Sequence, residues 1–203
     1  MQKILFLIIC FILSVSSYAK DYYNPNYKIN KGEQSLLLLP IYNDGSPVMN
    51  DTLFTKIFNE AASTVSLLNV TETREKIDSD NMLIEILTKI SETEYKTKEL
   101  KMFPDIKTIV TQTEIEYLKK ELDNPDLIFI PTIFSVKSVG PYTFGKSRFR
   151  LYDLNSGELI FDCSKDLNVN LSGIDGKGSV TAGLLSLTFE YFEKKFLSNL
   201  KTQ

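Results

Sequence analysis

The chain has 203 residues, a formal net charge of −3 and no histidine. That length suits one domain with a substantial buried core. Mild acidity works against nucleic acid as a partner, which asks for a clustered positive footprint. The missing histidines remove Ser-His-Asp and Cys-His nucleophile pairs and the commonest zinc and iron ligand.

Lys3 precedes an apolar run, Ile4 to Val15, and Ser17 and Ala19 then stand at the two positions that signal peptidase reads. About a dozen apolar residues are too few to cross a hydrocarbon core roughly 30 Å thick. Residues 1–19 are therefore expected to be an export signal and Lys20 the mature start. The periplasm is the expected destination, with secretion as the alternative, and no membrane span is expected after cleavage. Ile9 before Cys10 argues against lipid attachment there, so Cys163 becomes the sole mature thiol. Its apolar strand neighbours predict a buried small hydrophobe.

Residues 20–34 carry Tyr22, Tyr23, Tyr27, Pro25 and Gly32 without periodicity, and read as a flexible arm or extended lead-in. Residues 35–203 are expected to form a single α/β domain. Ser35 to Tyr42 is a nearly continuous apolar run ended by Asn43-Asp44-Gly45-Ser46-Pro47, the pattern of a strand buried on both faces. A helix follows, capped by Asn50 or Asp51, with a stripe from Leu53 to Val65, and then a short strand over 66–70.

A second helical region is expected over 73–93. Met82, Leu83, Ile86, Leu87 and Ile90 mark its buried face, and Asp78-Ser79-Asp80 supplies capping groups. The same acids lack the glycine and distal glutamate of a calcium loop. Residues 95–107, with Pro104, read as a connecting excursion. A third helix is expected over 111–122, with Ile115, Leu118 and Leu122 inward and a Glu116–Lys120 pair outward. Glu114 and Glu116 stand two apart and diverge on a helix, so they read as a solvated face rather than an acid/base pair.

Asp126 to Val139 is apolar enough for a central strand, and Gly140-Pro141 breaks it. Period-two alternation on either side of Asn155-Ser156-Gly157 then predicts a hairpin. Arg148, Arg150 and Tyr152 alternate with Phe149 and Leu151, and this polar row is expected to be a solvated face and a possible docking surface. Gly176-Lys177 with Ser179 has the wrong spacing for a phosphate loop and reads as a turn with an N-cap. A long terminal helix is expected after it, whose apolar residues include Leu184, Leu185, Leu187, Phe189, Phe192, Phe196, Leu197 and Leu200. The expected fold class is α/β: a mixed sheet of parallel core strands plus a C-terminal antiparallel hairpin, packed helices and a long C-terminal helix.

The early strand at Leu36–Tyr42, the join from Leu118-Lys119-Lys120-Glu121-Leu122 to Asp126-Leu127-Ile128-Phe129-Ile130, and the hairpin Arg150 to Ile160 together resemble one envelope family. It includes the curli secretion channel subunit (CsgG), the amino-terminal domain of TolB and the LpoB-type lipoprotein activator of penicillin-binding proteins. The resemblance covers most of residues 35 to 200 and implies an α/β domain in the cell envelope that works by contacts with proteins. Two features depart from it: Cys10 is no lipid site, and Pro141 to Lys146 is too short for a membrane-inserting hairpin like that of the curli channel. No carboxy-terminal propeller of the TolB kind is seen either.

The function expected is a non-catalytic periplasmic or secreted binding module of an envelope assembly, with a protein partner, no cofactor, no metal and no catalytic residues. One alternative is a carboxylate-dependent envelope enzyme, which requires two facing carboxylates about 5–9.5 Å apart in a cleft. Another is a small apolar-ligand carrier, which requires a cavity of roughly 300 Å³ or more between the sheet and the last helix.

Overall fold

The computed structural model describes residues 21–28, 33–39, 41–43, 46–48, 66–69, 74–96, 105–170, 190, 192 and 194. The expected signal segment, the first helix over 51–65 and the turn at 172–179 lie outside these residues. The long terminal helix does too, apart from Glu190, Phe192 and Lys194.

The strands are β1 (Tyr22–Tyr23), β2 (Ser35–Leu38), β3 (Ile41–Asn43), β4 (Ser46–Val48), β5 (Ser66–Asn69), β6 (Leu127–Val139), β7 (Tyr142–Asp153) and β8 (Leu159–Asn170). The helices are α1 (Arg74–Asp78), α2 (Asn81–Lys96) and α3 (Gln112–Glu121), with a 3-10 turn at Ile106–Thr108. All eight strands join one sheet in the order β1-β8-β7-β6-β2-β5, with β3 beside β6 and β4 beside β3. β2 pairs in parallel with both β5 and β6, whereas β6, β7 and β8 are antiparallel neighbours. This is the mixed α/β sheet expected.

Apolar sequence sets the middle of the sheet. Leu36, Leu37 and Leu38 of β2 and Leu127 to Ile130 of β6 are buried, as strands covered on both faces must be. One face holds Leu37, Leu39, Ile128, Ile130 and Tyr152 against Leu83, Ile86 and Ile90 of α2 and Ile115, Leu118 and Leu122 around α3. The opposite face carries Phe129, Phe149 and Phe161, and Phe192 packs on it with ring centroids 4.9 Å from Phe129 and 5.0 Å from Phe161.

Several elements differ from the sequence reading. The run at 35–42 is two strands, and β3 turns back into β4 as a small hairpin instead of stopping at Asn43. The helix expected over 73–93 breaks at Ser79–Asp80, because the Asp80 carboxylate accepts from Met82 N and Leu83 N and so starts α2 afresh. Met82 itself is exposed. Glu116 accepts from Gln112 and Lys120 turns to Glu121, in place of the Glu116–Lys120 pair. The arm or extended lead-in runs, over residues 21–28, along the edge of the sheet. Tyr22 and Tyr23 pair with Asp162 and Phe161, Asn24 N donates to Ile160 O, and Asp21 pairs with Lys165 at 3.0 Å.

The turn between β7 and β8 fits closely against the 3-10 segment. Gly157 has φ +84, and a Cβ there would crowd the Asp105 carboxylate and lie 2.8 Å from Cγ and Cδ of Lys107. The same carboxylate accepts from Lys107 N, and Ile106 N donates to Gly157 O. Gly157→Ala is expected to cost about 1–3 kcal/mol from left-handed strain and displaced capping, read as a lower urea midpoint with an unchanged slope.

Candidate functional site

The polar row of the hairpin is the first candidate. Strand β7 places Arg148, Arg150 and Tyr152 on one face, and the register sets Arg150 opposite Asp162 on β8. Arg148 Nε donates to Asp162 Oδ1 at 2.8 Å, its Nη2 reaches Asp162 Oδ2, and Arg150 Nε lies 3.5 Å from that same oxygen. The two-point contact between Arg148 and Asp162 is a planar fork on a carboxylate, the strong form of such a pair.

The expectation of a solvated face is corrected here. Arg148 is 6% exposed, Arg150 and Tyr152 are 0% exposed, and Asp162 is 1% exposed. Tyr152 belongs to the helix-side core with Ile128 and Leu154. The physical reason is coverage: Tyr152 packs with the helix-side core, and both arginines and Asp162 are buried too, so alternation here separates two buried faces instead of a wet one from a dry one. The cations are tolerated because one buried carboxylate meets both, Arg148 through a two-point contact and Arg150 at 3.5 Å. Docking through these three side chains would first require uncovering them.

The second candidate is a polar knot at the base of the hairpin. The Asp153 carboxylate accepts from Asn155 N at 2.7 Å and Ser156 N at 2.8 Å, which shapes the turn, and from the Tyr27 hydroxyl at 2.5 Å. Asp126 accepts from Ser35 N at 3.0 Å, and Lys119 Nζ donates to Asn155 Oδ1 at 2.5 Å. Burial, followed by the Asp153 contact, pushes the Tyr27 hydroxyl well above the usual tyrosine range. The knot thus ties arm, β2, β6, α3 and the turn together. Beside it an open cleft of about 390 Å³ lies between α3 and the turn, lined by Gln112, Ile115, Glu116, Lys119, Leu154 and Asn155. Its walls are mixed and its place is not the sheet–terminal-helix interface that an apolar carrier would use.

The remaining perturbed groups are helix-end devices. Thr111 and Glu114 form a capping box at the start of α3, and Lys89 of α2 meets Glu114 at 3.0 Å. The Thr111 backbone bond, followed by the Lys89 contact, holds the Glu114 carboxyl below the usual glutamate range. Tyr117 donates to Asp80 at 2.6 Å, which lowers the Asp80 carboxyl and pushes the Tyr117 hydroxyl up to about 12. Cys163 is buried, as expected, and burial raises its thiol far out of the reactive range.

Opposite pH edges follow from these groups. Asp80 and Glu114 titrate lower in the folded chain, so their contribution is complete above the unfolded values near 4 and is lost as pH falls through the folded ones. Tyr27 and Tyr117 titrate higher when folded, so their contribution is complete below about 10 and disappears as pH rises through their folded values. Urea midpoints measured against pH should form a plateau between these edges. Glu114→Gln should flatten the acidic edge, and Tyr27→Phe the alkaline one.

Sequence reading missed Asp162 as the partner of the arginines and Tyr27 as the partner of Asp153. The first was recoverable, since closing the hairpin at Asn155-Ser156-Gly157 sets Arg150 across from Asp162. The second links residues 126 positions apart and leaves no local pattern.

Fold and polar groups together define a mixed-sheet α/β domain in which Asp80, Glu114, Asp153 and Asp162 are engaged by the chain's own backbone and side chains. Among the described residues no cluster of three or more Asp, Glu or Cys is placed to hold a metal ion, and no helix is long and apolar enough to cross a membrane. No protein-family model matches the chain, and no curated protein sequence matches it either. Solved structures do resemble it. The PelC dodecamer from Paraburkholderia phytofirmans is 8% identical, with a TM-score of 0.46 over 85% of this chain and 96% of that one. The lipoprotein GNA1162 from Neisseria meningitidis is 13% identical, with 0.43 over 81% and 99%. The LpoB C-terminal domain from Escherichia coli is 8% identical, with 0.36 over 79% and 92%. Likenesses at this level leave activity to be read from the chain's own residues.

Proposed function

We propose that this chain is an exported, non-catalytic accessory module of a bacterial cell-envelope assembly, acting through protein–protein contacts. On this reading residues 1–19 direct export to the periplasm or beyond it, residues 20–34 dock as an arm, and residues 35–203 form the working domain. The observation that carries it is the use made of the polar groups. Asp162 is held by two buried arginines, Asp153 by turn and arm, Asp80 and Glu114 by helix starts. A general acid or base must be free to exchange a proton with a substrate within hydrogen-bond reach. These carboxylates are already engaged, so they support a scaffold better than a carboxylate-dependent enzyme.

The test is affinity purification of the mature chain from its own envelope, in mild and in crosslinked conditions, with mass spectrometry of the recovered proteins. One reproducible envelope partner, and a bait whose mass starts at Lys20, are expected. Recovery of no partner under either condition would overturn the reading. Charge reversal at Arg148 or Arg150 is a poor probe of docking, because both are buried and their loss reports on folding instead.

A further inference from the structure

Strand β7 carries one face from the core into the open. Tyr152, Arg150 and Arg148 are buried, Lys146 is half-buried, and Phe144 and Tyr142 are 40% and 45% exposed. The register with β6 sets Lys137 opposite Phe144 and Val139, 66% exposed, opposite Tyr142. Four side chains therefore share one exposed face at the outer end of this hairpin, three of them apolar or aromatic. The reverse face is held: Thr143 and Gly145 are buried, and the Ser138 and Thr143 hydroxyls are 3.0 Å apart. The Tyr142 and Phe144 rings are 6.4 Å apart, side by side on the strand.

We propose that this hairpin end is a membrane-interface contact that docks on an anionic lipid surface. Area favours a lipid surface over a protein as the occupant. The three apolar side chains expose on the order of 250–300 Å², far below the roughly 800 Å² per partner of a stable protein interface. A lipid interface needs no matching surface, and it favours this set of groups. Tyrosine sits at headgroup depth, Phe and Val enter the acyl boundary, and lysine keeps its ammonium among the phosphates.

Charge supplies the second argument. The chain contains 26 acidic residues, yet none falls between Asp126 and Asp153, where Lys137 and Lys146 flank the hairpin end. Lys146 is 3.9 Å from Asp166, and Lys137 is exposed beside Phe144. Reach limits the depth: the exposed part of each strand is about four residues, or roughly 13 Å, less than half of a hydrocarbon core about 30 Å thick. The contact is interfacial and does not span. It goes beyond the accessory-module reading, because it places the domain at a lipid surface whatever protein it meets.

The chain contains no tryptophan, so single reporters are clean. Mature protein carrying Phe144→Trp is mixed with vesicles of phosphatidylcholine alone, or of phosphatidylcholine with phosphatidylglycerol. Ile84→Trp, at an exposed position on α2, serves as the control. A blue shift at residue 144 and co-flotation are expected with the anionic vesicles, with no shift at residue 84. Tyr142→Ser with Phe144→Ser in one chain should weaken partitioning roughly 10- to 100-fold, and Lys137→Gln roughly fivefold, with melting temperatures kept. No partitioning of the unsubstituted chain, equal shifts at both reporters, or partitioning indifferent to the double substitution would overturn the proposal. So would a hairpin end that ignores vesicles while its double variant loses a defined protein partner, which would assign the surface to a protein. The vesicle results stand whether or not the envelope pull-down finds a partner.

Discussion

Asp162→Ala should lose about 3–5 kcal/mol of unfolding free energy, because it leaves buried guanidinium charge without its carboxylate. Asp162 is 1% exposed, takes a two-point contact from Arg148, and has Arg150 Nε at 3.5 Å. Water cannot replace those contacts without opening a buried stretch of the sheet. The cost is therefore mostly the desolvation of the arginines left behind, and only partly the attraction that is lost. Asp162→Asn separates charge from shape. It keeps a side chain of the same size and an acceptor oxygen, yet should recover only a minor part of the loss. Urea denaturation at neutral pH measures both variants. A cost below about 1 kcal/mol for Asp162→Ala would mean that the cluster is effectively solvated, and would return the row to the surface.

That cluster also shows what was legible in the sequence and what was not. Alternation along β7 correctly put Arg148, Arg150 and Tyr152 together, and the Asn155-Ser156-Gly157 turn closed where expected. Period two says which residues share a face; it does not say what lies on that face. Coverage is a tertiary fact: α2 and α3, from elsewhere in the chain, pack with Tyr152, and no local pattern announces it. The α3 helix was legible because its stripe of Ile115, Leu118 and Leu122 has one period, while the Thr111–Glu114 box at its start went unread. The small β3–β4 hairpin was not, since three-residue strands are shorter than any periodicity can register. Arm docking was hidden for another reason. Tyr27 and Asp153 meet only after the whole sheet has formed. The same limit applies to the exposed end of β7: Tyr142 and Phe144 follow the same alternation as Tyr152, and the alternation does not mark where burial stops.

Phe192→Ala should cost about 3–5 kcal/mol, although it lies near the chain's end. Phe192 is 0% exposed, and its ring meets Phe129 at 60° and Phe161 at 72°, the edge-to-face geometry that aromatic quadrupoles favour. Phe129 in turn meets Phe149 at 5.3 Å, so one ring from the terminal segment completes a cluster spanning β6, β7 and β8. Phe192→Leu keeps most of the volume and should cost under about 1.5 kcal/mol. A double-mutant cycle between Phe129 and Phe192 should return a coupling of about 0.5–1.5 kcal/mol, since the rings touch. The unfolding transition matters as much as its midpoint. If the terminal segment is an integral layer of the sheet's second face, Phe192→Ala unfolds in one step with an unchanged slope, because removing one ring weakens the whole unit. If the segment detaches alone, the slope falls and near-native stability survives its loss. The first outcome would make residues 35–203 one cooperative domain. The second would leave Phe129, Phe149 and Phe161 as an uncovered aromatic face, which a soluble chain could keep only by burying it elsewhere.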